Sequence, residues 1–148
     1  TKSPNIYFND LGMCNFSKSS FNADGNDGMV FQNFIYTILK NKYKIPTANF
    51  IGHGDIAPTR KIDPNIQFPW VLLANKGYGV WSEPNPAIPL KDNISVPYAL
   101  ALVGYDVKDT TAAILAFKRH FRQDSTATMN ELDKSVLSQL VTKKLSGN

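Results

Sequence analysis

The apolar pattern of this 148-residue chain predicts an α/β fold followed by a small three-helix bundle. Three observations carry that expectation. A helical period runs into a short apolar strand near residue 50, a Pro-rich stretch without clear periodicity covers residues 83–97, and three further helical periods fill residues 98–148. The expected units are therefore 1–82, a linker at 83–97, and a helical domain at 98–148.

Residues 1 to about 27 are rich in Asn, Ser, Asp and Gly, with only short apolar pieces such as Ile6-Tyr7-Phe8, and are expected to be loop with one short strand. From about Asp27 to Lys42, the residues Val30, Phe31, Phe34, Ile35, Ile38 and Leu39 recur at three- and four-residue spacing, and Asn26 or Asp27 can cap the start. This predicts an amphipathic helix whose aromatic stripe is core. Ile45-Pro46 ends it, and Asn49-Phe50-Ile51-Gly52 predicts a buried strand that delivers His53 to its C-terminal end, a common place for catalytic groups. Phe68-Pro69-Trp70 and the apolar residues after it predict a short helix closed by Gly77 in the left-handed conformation. Trp70 is expected to anchor it. The linker carries Pro84, Pro86, Pro89 and Pro97 and is expected to lean on neighbouring surface. Tyr98 to Val103, Thr110 to Phe121 and Met129 to Leu145 read as helices, with Ile114, Phe117 and Phe121 on the inner face of the second and Met129, Leu132, Val136 and Leu140 on that of the third. About fifty residues make a marginal bundle, so it is expected to dock on the preceding domain.

Composition narrows the function classes. A hydrophobic content of 43% suffices for a packed core, and no stretch approaches the roughly 18 apolar residues of a membrane span. The net charge of +4 invites a nucleic-acid partner, but the basic residues are scattered, without an aromatic-interleaved stripe, so none is expected. Lys40, Lys42 and Lys44 cluster where a helix should end and suit its dipole. A single cysteine, Cys14, excludes an internal disulfide framework.

The chemistry concentrates in His53-Gly-Asp-Ile-Ala-Pro-Thr-Arg-Lys-Ile-Asp63. An imidazole nitrogen and a carboxylate oxygen are good zinc ligands, and a catalytic zinc takes three protein ligands while leaving one position for water. His53 and Asp63 supply two. Their spacing excludes the i, i+4 geometry of a helical zinc motif, so the chain must bend back, as Pro58 and Pro64 favour. Lys61 then points at the same centre. The plainer alternatives are a hydrogen-bonded structural histidine, an aspartate capping the turn at Pro64, and a solvated lysine. Asp55 and Arg60 are expected to brace the loop through an ion pair or backbone hydrogen bonds, with Arg60 also a candidate for a substrate carboxylate. Trp81 is a core residue or the wall of a substrate groove. His120, between Phe117 and Phe121 on a helical face, is expected to be structural.

The run Gly52-His-Gly-Asp-Ile-Ala-Pro-Thr-Arg-Lys-Ile-Asp-Pro64, with Phe68-Pro-Trp70 and Gly77-Tyr-Gly-Val-Trp81, resembles the second half of the zinc-dependent N-acetylmuramoyl-L-alanine amidases of the AmpD and AmiD type. The resemblance implies that His53 and Asp63 are zinc ligands and that Lys61 stabilises the oxyanion of the tetrahedral intermediate. It implies a mixed β-sheet flanked by helices, carried here only in part. The family's first zinc ligand, a histidine, and its acidic general base lie upstream of the matching segment, so the chain is expected to be the C-terminal portion of a longer enzyme, truncated or nicked. Gly104-Tyr-Asp-Val and Ala116-Phe-Lys-Arg-His-Phe-Arg122 resemble the helical peptidoglycan-binding domain appended to some of these amidases. The implied cofactor is Zn2+, the substrate peptidoglycan or muropeptide, and the location the bacterial periplasm or envelope, with the cytoplasm as alternative. The alternative function is muropeptide recognition without cleavage, as in the related peptidoglycan-recognition proteins.

Overall fold

The computed structural model of the chain describes residues 6–8 and 36–147. Strand β1 (Ile6–Phe8) pairs in parallel with β2 (Phe50–Gly52), in the register Ile6 to Phe50 and Phe8 to Gly52. Helix α1 (residues 36–43) precedes a 3-10 turn at Thr47–Asn49, and the single-turn α2 (His53–Ile56) leaves β2 directly. Then come α3 (Trp70–Asn75), α4 (Val96–Val103), α5 (Thr110–Phe121) and α6 (Glu131–Leu145).

This corrects the expected fold class. The described residues are mostly helical, and their strand content is one pair of three-residue strands rather than a mixed sheet flanked by helices. The physical reason lies in the sequence around β2: the Pro46 turn bounds it on one side and the Gly52 helix start on the other, leaving room for three extended residues. The first part of the helix expected from Asp27, with Val30, Phe31, Phe34 and Ile35, lies outside the described residues, as does Cys14. Ile38, expected in the core, is 46% exposed.

Two cores hold the chain. Ile45, Phe50, Phe68, Trp70, Leu73 and Tyr78 form the first, with Tyr36 and Leu39 of α1 packed against it. The second is built from Ala99, Leu100, Tyr105, Ala113, Phe117, Phe121, Val136, Leu137 and Leu140 of the C-terminal helices. The half-buried Trp81 ring packs on both. Residues 83–90 lie along α6: Gln139 Nε2 donates to Glu83 O at 2.8 Å, the Asn85 N–H donates to Ser135 Oγ at 3.1 Å, and Ser138 Oγ donates to Pro89 O at 3.1 Å.

Capping sets the helix ends. Ser95 caps α4 with Pro97 in its first turn, and Asp109 Oδ1 caps α5 by accepting the Ala112 N–H. Asn130 and Asp133 exchange side-chain and backbone hydrogen bonds as a capping box, so α6 starts at Glu131, two residues later than the apolar period suggests. Leu132, placed by the pattern on the inner face, sits in that first turn and is 39% exposed. Gly77 takes φ +82° just past α3 and its N–H bonds Ala74 O, as a helix-terminating glycine does.

One polar cluster organises the turn between α5 and α6. Lys118 is 1% exposed, and its ammonium meets Asp124 at 2.7 Å, Asp133 at 3.1 Å and the Thr128 carbonyl at 2.9 Å. Burial alone lowers the Lys118 pKa, but the hydrogen bonds to Asp124 and Asp133 outweigh it and leave the pKa above the usual lysine value. Arg122 adds a 2.8 Å contact to the other oxygen of Asp133.

Candidate metal half-site

Gly52 ends β2, and α2 begins at the next residue. Asp55, third in that turn, reaches back so that its Oδ2 accepts the Gly52 N–H at 2.7 Å. The Ala57 N–H donates to His53 O, and the N–H groups of Arg60 and Lys61 both donate to Ala57 O at 2.9 Å, which turns the chain over Pro58. The returning segment lies on α2: the Gly54 N–H donates to Asp63 O at 2.7 Å. Glycine at 54 permits this close approach: a Cβ there would stand 3.2 Å from the carbonyl oxygens of both Lys61 and Asp63, and the returning segment would have to give way by a few tenths of an ångström.

This fold-back brings His53 Nδ1 to 3.2 Å from Asp63 Oδ2, across ten positions of sequence. The imidazole side chain is 35% exposed and the carboxylate side chain 18%. A nitrogen and an oxygen bound to one tetrahedral zinc at about 2.1 Å stand about 3.4 Å apart, so the pair fits two ligands of one metal as well as a direct hydrogen bond. The donor set, neutral nitrogen with anionic oxygen, suits zinc. No group of three His, Cys, Asp or Glu side chains gathers for a metal among the described residues. Lys61 is exposed on the returning segment, and Arg60 precedes it, also exposed.

Asp55 does brace the loop, but its partners are not Arg60. Its Oδ1 accepts the Tyr105 hydroxyl at 2.7 Å, and its Oδ2 meets His120 Nδ1 at 2.6 Å. A carboxylate only accepts, so the Nδ1 of His120 carries the proton and donates. The His120 ring, 3% exposed, stacks on Trp70 at 3.6 Å between centroids and on Phe121 at 4.0 Å. Burial, and then the adjacent Asp55 carboxylate, push the Tyr105 pKa well above the ordinary phenol value, which keeps its hydroxyl a donor. His120 is thus buried and hydrogen-bonded inside the fold, as the apolar face around it suggested, and Trp70 is the buried anchor it was expected to be. Sequence reasoning missed the pairing of His120 with Asp55. The available signal was a histidine on an apolar helix face, which needs a polar partner from elsewhere in the fold.

Trp81 bridges the two cores, stacks on Phe121 at 6.1 Å, and donates its indole N–H to Glu83 at 2.6 Å. No helix among the described residues is long and apolar enough to cross a membrane.

No family model matches the chain. It is 38% identical over 97 residues to the N-acetylmuramoyl-L-alanine amidase AmiD of Escherichia coli, covering 55% of this chain and 35% of that protein. The solved structure of AmiD in complex with anhydro-N-acetylmuramic acid-L-Ala-D-γ-Glu-L-Lys superimposes with a TM-score of 0.66 at 26% identity, over 80% of this chain and 52% of that one. AmpDh3 of Pseudomonas aeruginosa, in complex with anhydromuramic pentapeptide, shares the fold with a TM-score of 0.62 at 21% identity, over 78% and 52% of the two chains. Over part of its length this chain is therefore homologous to the AmiD/AmpD-type N-acetylmuramoyl-L-alanine amidases. It spans about a third of the curated relative and about half of the solved structures.

Proposed function

We propose that this chain carries part of the active centre of a zinc-dependent amidase that hydrolyses the bond between N-acetylmuramic acid and L-alanine in peptidoglycan or muropeptides. The observation that carries the reading is the 3.2 Å approach of His53 Nδ1 to Asp63 Oδ2, reached only because α2 and the returning segment are stitched together. His53 and Asp63 hold the metal. Zinc bound there supplies Lewis-acid polarisation of the scissile carbonyl and a water of lowered pKa. The ammonium of Lys61 stabilises the negative charge that develops on the carbonyl oxygen, an interaction stronger in the transition state than in the bound substrate. The remaining ligand and the general base come from outside the described residues. Arg60, exposed on the same loop, and Trp81, with its half-buried ring, are the residues proposed to meet substrate. The helical C-terminal part favours the bacterial cell envelope as the place of action.

The second reading is muropeptide recognition without cleavage, which needs no complete metal centre. Mass spectrometry of anhydromuramyl peptide incubated with zinc and the protein separates the two. Release of the free stem peptide supports the amidase; saturable binding with intact ligand selects recognition.

A further inference from the structure

We propose that Tyr105 and His120, which belong to the C-terminal helical part, are positioning residues for the metal half-site, acting through Asp55. The proposal rests on the reading of His53 and Asp63 as metal ligands and adds what holds them in register.

Helix α2 has four residues and one turn, too short to be stable by itself. Its direction, and so the direction of His53 at its first position, is set by ties to its surroundings. One is the Gly54 N–H bond to Asp63 O. The others converge on the carboxylate of Asp55, two residues after His53: Gly52 N–H at 2.7 Å, Tyr105 hydroxyl at 2.7 Å and His120 Nδ1 at 2.6 Å. Two of those three donors come from elements 50 and 65 residues further along the chain. The donors are themselves fixed. Tyr105 is 7% exposed in the second core, and the His120 ring is stacked on Trp70 of the first. Trp70 and Pro64 also close on the end of β2, since a Cβ at Gly52 would lie 3.3 Å and 3.0 Å from their atoms. Asp55 is therefore the point at which the helical part grips the segment that presents both proposed ligands. Rotation of α2 would swing the His53 imidazole away from Asp63, so the grip is expected to govern metal affinity as well as stability.

The test measures zinc affinity of the chain by competition with a chromophoric chelator, together with amide hydrogen exchange of Gly52 and Gly54 in the metal-free protein. Tyr105→Phe removes one oxygen and keeps the ring, His120→Phe keeps the stack and removes the donor, and His120→Gln restores an N–H donor. Removing hydrogen-bond support behind metal ligands typically weakens binding by about 10- to 100-fold, the range expected for the two Phe variants. Faster exchange at Gly54 and partial recovery in His120→Gln are also expected. A residue that merely stabilises the fold lowers the melting temperature and leaves affinity unchanged. Affinities of folded Tyr105→Phe and His120→Phe equal to that of the unaltered chain overturn the proposal. His53→Ala separates the two claims: if it binds zinc as the unaltered chain does, the half-site reading fails; if it loses zinc while the Phe variants do not, only the positioning role fails.

Discussion

Asp55 and His120 meet at 2.6 Å across 65 residues of sequence, and this contact joins the loop that runs from His53 to Asp63 to the C-terminal helices. Asp55 also accepts from Gly52 and Tyr105, so one carboxylate serves three donors from three places in the chain. Asp55→Ala strips the partner from all of them at once. The expected cost is on the order of 3 kcal/mol, the range for leaving buried hydrogen-bonding groups unpaired. Asp55→Asn keeps acceptor oxygen and should cost less. Urea unfolding of the two variants checks the order; equal loss from both contradicts the bonding pattern.

Gly52 is required for space rather than for its backbone conformation. Its φ of −73° suits any residue, yet a Cβ there would sit 2.7 Å from Asp55 Oδ2. Gly52→Ala should therefore push the carboxylate off its donors and destabilise the fold by about 1–3 kcal/mol, the usual cost of overpacking. Chemical denaturation gives the value, and an increase in stability would show that the site has room.

The Lys118 cluster is expected to add a modest acid-sensitive contribution to stability. The hydrogen bond from Lys118 holds the Asp124 carboxyl down at about 2, below its ordinary value of 3.8. Between those values the unfolded chain binds more protons than the folded one, so this contribution is present above about pH 4 and fades as pH falls toward 2. Asp124 is partly exposed, which keeps the effect modest. On the alkaline side the raised Lys118 pKa contributes stability that is full below its unfolded value and is lost as pH rises through the folded one. Asp124→Asn should flatten the acid limb in a series of thermal melts, and an unchanged slope would remove the pair from the account.

Lys61 is proposed to act on the transition state, not on the metal. Lys61→Ala should lower kcat by about a hundredfold to a thousandfold, the typical effect of losing one oxyanion donor, with zinc content and KM little changed. Zinc lost in parallel with activity would instead make Lys61 part of the metal's support.

Much of the helical layout was legible because capping residues and apolar periods agree there. Thr110–Phe121 lies where the period of Ile114, Phe117 and Phe121 put it, with Asp109 at its cap. Helix α2 was not legible: four residues with a glycine among them have no period, and the turn is held because Asp55 accepts the N–H of Gly52 just before it and the returning Asp63 carbonyl accepts that of Gly54. Lys118 defeats the pattern in another way, being a charged residue on the inner face of α5 that Asp124 and Asp133 neutralise from beyond the helix. The His53 and Asp63 pair could be inferred from residue types and the prolines between and after them, since a fold-back was the only route to a shared centre. The contact of Asp55 with His120 depends on how two cores dock, which no local pattern encodes. The mixed sheet was implied by resemblance alone, and the residues around β2 leave it three residues long.

Hydrolysis of an anhydromuramyl peptide by the protein, followed by mass spectrometry before zinc removal, after chelation and after zinc is restored, with His53→Ala and Asp63→Ala in parallel, tests the metal assignment most simply. Cleavage between the muramic acid and L-alanine that disappears with chelation, returns with zinc and is absent from both variants is the predicted result. Cleavage that survives in the chelated enzyme or in either variant contradicts the assignment of His53 and Asp63 as the metal half-site.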